Sequence, residues 1–392
     1  MNVPKLRFKE FSDEYKYRNL SDISTLIKDG THGTHENYEN GIPLLSAKDI
    51  NNNKINIPEN CRKISVDDYN KIYKNYLLKK DDILLTIVGS IGRTALYKNE
   101  KVAFQRSVAT IRIDDNNNSN YIRQYIESPM IINQLNNMTN SSAQGGVYLS
   151  SLSKLNFDIP RKEEQLKIAN FLSLLDKKIE LQSKKIEGLK LFKLRLFENL
   201  TCKIEECIKV KEIGTLKNGY AFKNSQYDDD GLYNILTISN VNGNMYINDI
   251  FKNHYSFLPK DIQNHQILKE KDILISMTGN VGRVSYNKGK NNLLNQRVGI
   301  LEIKENVNKD FIFYMLNNKK FENAMIDCGQ GAAQLNISKS DIENFSIPYP
   351  NNQSQTKISK ILNIISKKIK IENDKLNHYI NLKKGLMQNM FV

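Results

Sequence analysis

The sequence predicts an α+β protein with an internal duplication. Two mixed α/β domains are expected, joined by two long antiparallel helices that form a coiled-coil spacer with approximate two-fold symmetry. Three observations predict this class: a repeat with a fixed offset, short strand-like runs in each copy, and a heptad pattern that ends each copy. They divide the 392 residues into a first domain, a first spacer helix, a second domain and a second spacer helix, at 1–158, 159–201, 202–348 and 349–392.

The repeat is clearest in a glycine-containing segment that occurs twice, 190 positions apart. The first copy reads "DILLTIVGSIGRTALY" (82–97) and the second "DILISMTGNVGRVSYN" (272–287). "FQRSVATIRI" at 104–113 is then followed by "NQRVGILEI" at 295–303, and "QGGVYLSSLSKLNFDIP" at 144–160 by "QGAAQLNISKSDIENFSIP" at 330–348. Between these motifs, short apolar runs are broken by Gly, Asn and Asp, which indicates an α+β domain in each copy.

Each copy ends in a helical segment whose apolar residues are spaced alternately by four and three, which is the seam of a coiled coil. The predicted pairing residues are Ile168, Leu172, Leu175, Ile179, Ile186 and Leu189 in the first helix, and Ile358, Leu362, Ile365, Ile369, Leu376 and Tyr379 in the second. Polar residues interrupt both seams at matching positions, Gln182 with Glu372 and Lys193 with Lys383. Pairing along this seam must be antiparallel, giving a spacer of roughly 55 Å. The alternative is that each helix packs on its own domain without pairing.

The charge of the chain indicates a polyanionic partner. Lys plus Arg number 57 against 43 Asp plus Glu, a net charge of +14 and a pI near 9.3. Double-stranded DNA is therefore favoured over a membrane, although richness in Lys, Asn and Ile could also reflect an AT-rich genome. No apolar run approaches the ~18 residues of a membrane span, and the N-terminal residues lack a signal peptide. A cytoplasmic protein is expected.

The motifs of common catalytic sites are missing from the sequence. Neither glycine segment matches a dinucleotide or P-loop fingerprint, and the signature of an amino-methyltransferase is not found. His32 and His35 could suggest a metal site, but no third ligand stands at a suitable spacing and the second copy has no such pair. We therefore expect no metal, cofactor or catalytic residue in this chain, and a polar loop at the histidines.

A repeated polar surface is the better candidate for function. Arg contacts guanine and Gln or Asn contacts adenine in the major groove, and phosphates take the same side chains. The candidate DNA-binding residues are Thr31, His32, Lys48, Ser90, Arg93, Gln105, Arg106, Gln144, Tyr148, Tyr220, Asn240, Asn280, Arg283, Gln296, Arg297, Gln330 and Gln334. The pair Gln105–Arg106 is matched here with Gln296–Arg297. Shared residues are expected to anchor phosphates or brace the loop, whereas bases are expected to be read where the copies differ, as in 31–38 against 220–227.

In this combination the chain resembles the specificity subunit of type I restriction–modification systems. The resemblance covers the whole chain and rests on "VPKLRFKEF" (3–11), the doubled G-x-[IV]-G-R, the Gln-Gly segments, the E-x-Q and Q-x-Q helix starts, and "LKKGLMQNMF" (382–391). It implies two target-recognition domains, each reading one half of a bipartite DNA site. It also implies that the helices dock two modification subunits, which use S-adenosylmethionine to methylate adenine N6, and that ATP- and Mg²⁺-dependent restriction subunits join for cleavage.

Two other functions are compatible with the residues. A stand-alone DNA-binding protein of duplicated domains, such as a repressor, would share the basic repeated surface but would lack a docking face for a methyltransferase. An enzyme with an unrecognised site, beginning from a phosphate-binding loop around Arg93, would show a chemical step that DNA binding alone does not explain.

Overall fold

The helices and strands of the chain belong to two compact units. The computed structural model describes residues 3–140, 145–329 and 335–391. Unit 1 consists of Met1–Lys184 and Asp374–Val392, and unit 2 of Lys185–Asn373. Each unit is a mixed α/β domain, which confirms the predicted fold class.

Unit 1 is built around an antiparallel four-stranded sheet in the order β2-β10-β7-β8. Beside it, β3 pairs parallel with β9 and antiparallel with β6, and β1 pairs antiparallel with β11. Its strands are β1 Lys16–Asn19, β2 Ser24–Asp29, β3 Ile42–Leu45, β4 Ile50–Asn51, β5 Lys54–Ile55, β6 Lys63–Ile64, β7 Ile83–Thr86, β8 Thr94–Leu96, β9 Ala103–Phe104, β10 Val108–Ile113 and β11 Asn156–Ile159. Its shorter helices are α1 Val66–Ile72, α2 Ser119–Ile126, α3 Pro129–Asn140 and α4 Leu149–Leu152.

Unit 2 repeats this plan. Its four-stranded antiparallel sheet has the order β13-β19-β16-β17, β14 pairs parallel with β18, and β12 pairs antiparallel with β20. The strands are β12 Cys207–Lys209, β13 Gly214–Asn218, β14 Tyr233–Leu236, β15 His254–Tyr255, β16 Ile273–Ser276, β17 Val284–Tyr286, β18 Asn292–Leu294, β19 Val298–Ile303 and β20 Ser346–Pro348. The shorter helices are α6 Val210–Ile213, α7 Lys309–Leu316, α8 Lys319–Cys328 and α9 Lys339–Glu343. The shared strand order confirms the duplication.

Two long helices, α5 Lys162–Thr201 and α10 Asn352–Met390, follow the strands β11 and β20. In the first turn of each helix a glutamine contacts the preceding proline: Gln165 Nε2 donates to the Pro160 carbonyl at 2.9 Å, and Gln355 Nε2 to the Pro350 carbonyl at 2.7 Å. These are the glutamines of the E-x-Q and Q-x-Q motifs, so the motif marks a fixed helix start.

Within unit 1 the two long helices run antiparallel. In unit 1 the Lys178 ammonium lies 4.7 Å from the centre of the Tyr379 ring, and Lys383 Nζ lies 2.5 Å from Asp176 Oδ1. The sequence number falls along one helix as it rises along the other. All twelve predicted pairing residues are buried or half-buried, and Ile168, Leu172, Ile186, Ile358 and Leu362 are fully buried.

The long helices contribute to the cores of the units. In unit 1, Ile168 and Leu172 of α5 join the sheet and α2, and the Phe391 ring stacks on Tyr125 with centroids 4.5 Å apart. In unit 2, Ile358 and Leu362 of α10 join the equivalent cluster. Burial of such side chains stabilises each unit by about 2 kcal/mol apiece. None of the helices in the described parts of the chain is both long and apolar enough to cross a membrane.

Candidate DNA-recognition surface

The glycine-containing segment of unit 1 forms a tight turn between β7 and β8. Gly89 and Gly92 have φ angles of 77° and 88°, which glycine adopts without steric cost. The Thr86 hydroxyl accepts a hydrogen bond from the Arg93 amide at 2.9 Å and donates to the Ser90 carbonyl at 2.5 Å. One buried hydroxyl therefore closes the turn, while the Ser90 side chain is exposed at its tip.

The equivalent turn of unit 2 has the same construction. Gly279 and Gly282 have φ angles of 72° and 74°. The Ser276 hydroxyl accepts from the Arg283 amide at 3.0 Å and donates to the Asn280 carbonyl at 2.5 Å. The Asn280 side chain is exposed, as the Ser90 side chain is in unit 1. The shared motif is therefore a scaffold that presents side chains.

Thr86 and Ser276 were missed by the sequence reasoning, although a signal for them exists. A hydroxyl residue stands seven positions before the arginine in both copies. Because Thr and Ser differ in size but share the hydroxyl, their equivalence indicates that the hydrogen bonds are what the turn requires.

The arginines of the two turns have different surroundings. Arg93 is exposed, whereas Arg283 is half-buried with its Nε 3.5 Å from Glu322 Oε1. In unit 1 the residue equivalent to Glu322 is Ile132, which packs under the turn. The arginine is thus held by an ion pair in unit 2 and is open to a ligand in unit 1.

A second shared feature places residues beside these turns. Thr31 forms a parallel bridge with Gln105 in unit 1, and Tyr220 forms the same bridge with Asn295 in unit 2. The Thr31 amide donates to the residue before Gln105 at 2.8 Å, and the Tyr220 amide donates to the residue before Asn295 at 2.7 Å. Gln105 therefore corresponds to Asn295.

The predicted equivalence of the two Gln-Arg pairs is wrong by one residue. Arg106 corresponds to Gln296, and Arg297 corresponds to Ser107. The backbone hydrogen bonds that lead into β10 and β19 keep this register without an insertion. The sequence comparison aligned the two Gln-Arg pairs because their residues are identical, but the strand register pairs different residues. The correction makes 106 and 296 a position at which the two units differ.

A cavity of about 490 Å³ in unit 1 brings together several predicted residues. His32, Arg106 and Tyr148 line it, together with Asp29 of β2 and the two residues that follow β7. His32 Nε2 lies 2.5 Å from Asp29 Oδ2, which orients the imidazole. Arg106 and Tyr148 are exposed at the cavity. The arrangement offers a cation, an aromatic ring and an imidazole to one ligand.

The two histidines of this loop are engaged separately. His35 Nε2 and the Thr31 hydroxyl share a hydrogen bond of 2.8 Å, and His35 Nδ1 lies 3.4 Å from Asp68 Oδ2. His32 contacts Asp29 instead. Across the described residues, no group of three or more His, Cys, Asp or Glu side chains could hold a metal ion. The histidines brace the loop.

The corresponding loop of unit 2 is aromatic. The Tyr220 hydroxyl donates to Asp261 Oδ1 at 2.7 Å, and this hydrogen bond raises the pKa of Tyr220. The Phe222 ring packs edge-on between Tyr220 and Tyr255, with centroids 4.9 and 5.1 Å away, and the exposed Phe257 lies beside Tyr255. Unit 2 therefore presents aromatic faces where unit 1 presents histidines.

Asn240 does not belong to the recognition surface. It is only 2% exposed, and its amide donates to the carbonyls of Asn248 and Ile250 at 2.9 and 3.0 Å while accepting from the Thr237 amide at 2.9 Å. The prediction is corrected because every group that could read a base is used inside the unit. Lys48, in the matching turn of unit 1, is exposed.

The remaining predicted residues are either at the surface, half-buried or outside the part of the chain that the structure describes. Gln296 and Arg297 are exposed, and Gln105 is half-buried. Gln144, Gln330 and Gln334 lie outside the described residues.

Comparisons with known proteins agree with this duplicated arrangement. The family model of the type I restriction modification DNA specificity domain matches twice, at residues 12–191 and 205–381. A relative from Methanocaldococcus jannaschii, provisionally named the type I restriction enzyme MjaX specificity subunit, is 26% identical over 98% of this chain and 95% of its own. The crystal structure of a type I restriction-modification S subunit from M. genitalium has a TM-score of 0.62 at 17% identity, covering 100% of this chain and 99% of that one. A chain from a study of type I R-M complex assembly and conformational transition has a TM-score of 0.56 at 13% identity, covering 97% and 98%.

Proposed function

Because the chain belongs to the type I restriction modification DNA specificity family, we propose that each of its units reads one half of a bipartite DNA target. The chain is the specificity subunit of such a system, and double-stranded DNA is its ligand. The net charge of +14 supports phosphate binding, which supplies affinity without sequence information. Sequence must then be read by the side chains that the scaffold presents.

One observation carries this proposal: the two units share a backbone scaffold but differ in the side chains it presents. The turns are closed by the same hydroxyl hydrogen bonds. Beside them, Thr31 is replaced by Tyr220, and Arg106 by Gln296. Arg is suited to guanine and Gln to adenine. A shared backbone that presents different side chains is the arrangement expected of two domains that bind half-sites of different sequence.

The long helices support docking of two partner subunits. Outside the seam, α5 exposes Phe171, Leu174 and Leu181, and α10 exposes Ile361, Ile364 and Ile371 at the same spacing. Leu174 is 69% and Ile364 67% exposed. Large apolar side chains exposed at repeated positions mark protein-interaction surfaces. One such surface in each unit fits two copies of one partner, and we assign it to the modification subunits.

In the assembled system this chain selects the DNA sequence, and its partner subunits carry out methylation and cleavage. S-adenosylmethionine would bind the modification subunits, which methylate adenine N6, and ATP with Mg²⁺ would bind the restriction subunits. The expected place of action is the cytoplasm. The repeated apolar surfaces favour this function over a stand-alone repressor, which has no need of two equivalent docking faces.

A substitution at Arg106 tests the reading of half-sites. In cells that express this chain with its neighbouring methyltransferase, single-molecule sequencing for N6-methyladenine should show one bipartite motif. Arg106→Gln should change or abolish one half of that motif and leave the other half unaltered. Loss of an Arg–guanine contact costs about 1–3 kcal/mol at that position.

The reciprocal substitution is the control. Gln296→Arg, at the equivalent position of unit 2, should alter the other half alone. If either substitution changed both halves or neither, or if no bipartite motif were methylated, the proposal would fail.

A further inference from the structure

Unit 2 contains a cavity of about 470 Å³ that is lined by several basic side chains. Lys190 and Lys193 of α5 face it, as do Arg283 of the β16–β17 turn and Lys319 at the start of α8. Tyr314, Leu194 and Phe197 supply an apolar side. An adjoining cavity of about 670 Å³ shares both lysines of α5.

The charge in this cavity is not balanced. Glu322 is the carboxylate in its lining, 2.5 Å from Lys319 Nζ and 3.5 Å from Arg283 Nε. In the adjoining cavity Asp249 lies 3.8 Å from Lys288, and Lys370 stands over the Tyr246 ring. Among the described residues, neither Lys190 nor Lys193 is in an ion pair.

Lys193 is the most unusual of these cations. Its Nζ lies 5.1 Å from the centre of the Tyr314 ring, and burial lowers its pKa to about 8 because water is removed without an anion to replace it. A desolvated ammonium with only a ring as partner costs free energy unless an anion is supplied.

The equivalent lysine of unit 1 shows what is missing. Lys383 holds the same seam position, and its Nζ is 2.5 Å from Asp176 Oδ1 and 3.8 Å from Glu127 Oε2. In unit 2 the positions of these two carboxylates are taken by Ser366 and Asn317. Lys193 therefore lacks both of the carboxylates that Lys383 shares with Arg123 in unit 1.

We propose that the cavity beside Lys193 is a binding site for a phosphate group. The α8 helix begins in the lining at Lys319, which places the positive end of its dipole beside the lysines and Arg283. The phosphate could come from a free phosphate compound or from the backbone of bound DNA. The first source is independent of the proposed function, and the second rests on it.

The test titrates the full chain with inorganic phosphate against chloride at equal ionic strength. Phosphate should raise the melting temperature of the wild type by roughly 2–4 °C at saturating concentration. Lys193→Met should abolish this rise, and Lys190→Met should reduce it. Lys367→Met, which removes an equal charge at an exposed position outside the cavity, should leave it unchanged. An equal rise in all four proteins, or none in the wild type, would overturn the site.

A second arm identifies the source of the phosphate. If DNA supplies it, Lys193→Met should lower the slope of log affinity for target DNA against log salt by about one, because one phosphate contact is lost. If a free compound supplies it, that slope should stay the same and the phosphate-induced stabilisation should persist with DNA bound. Either result supports the site. Because the phosphate titration requires no DNA, failure of DNA recognition would not be mistaken for failure of this site.

Discussion

Lys193 and Lys383 show how one residue type can have opposite effects on stability. Each interrupts the apolar seam at the same heptad position. Lys383 Nζ lies 2.5 Å from Asp176 Oδ1, so its removal would leave that carboxylate with only the more distant Arg123, 3.9 Å away. Lys193 has an aromatic neighbour and no ion pair within the described residues, so its charge is a cost to the folded state.

This contrast predicts a pH dependence. The folded-state pKa of Lys193 is about 8, below the ordinary value of 10.5. The penalty is therefore fully present below pH 8 and is relieved as the pH rises toward 10.5, since the unfolded chain then binds more protons than the folded one. Lys193→Met should stabilise unit 2 at pH 7 by roughly 2–3 kcal/mol and flatten the rise in stability above pH 8.

Calorimetry at pH 7.0 and 9.5 in chloride buffer measures this effect, and Lys383→Met is the matched comparison. That variant should be less stable than the wild type at pH 7, because Asp176 loses its nearer cation and both carboxylates are left with Arg123 alone. Equal effects of the two substitutions would contradict the account.

At the scale of the element, the long helices were the most predictable part of the chain. Their heptads placed all twelve seam residues on the less exposed side, because period and burial are directly linked. The loops were less predictable. The Gln-Arg pairs were misaligned by one residue, and Asn240 was taken for a reader although its position caps a buried turn. Both errors arose because loop side chains are placed by backbone register and hydrogen bonds that residue identity does not reveal.

The exposed apolar residues of the helices give a prediction about docking. Leu174→Asp should remove one of the two modification subunits, because a charge on that surface cannot be desolvated. Ile364→Asp should remove the other, and the double variant should bind neither. Native mass spectrometry of the reconstituted complex counts the subunits.

Asn170→Asp, at an exposed position on the same helix, adds the same charge beside the surface and is the control. It should leave two subunits bound. Leu174 and Ile364 are both mostly exposed. Their substitution by Asp should therefore change the free energy of unfolding by less than about 0.5 kcal/mol. A complex that kept both subunits in the double variant would refute the assignment of the surface.

At the scale of the whole molecule, the predicted spacer helices lead to a prediction about the DNA target. If helix length sets the distance between half-sites, one extra heptad in each helix, after Gly188 in α5 and after Lys368 in α10, should lengthen the non-specific spacer of the target. Seven residues add about 10.5 Å, or roughly three base pairs. Gly188 suits this insertion because its Cβ position is open.

The readout is the methylated motif in cells. Both half-site sequences should be retained while the gap between them grows. An unchanged gap would show that the helices do not set the spacing, and altered half-sites would show that the insertion disturbs the units themselves.

The hydroxyl-closed turns of the two units also bear on how such a protein changes over evolutionary time. Their conformation depends on two glycines, one Thr or Ser, and backbone hydrogen bonds. Mutations in the neighbouring loops therefore cost little stability and are exposed to selection through the DNA they recognise. New specificities can therefore arise by substitution or recombination within one loop region, without rebuilding the turn that carries it.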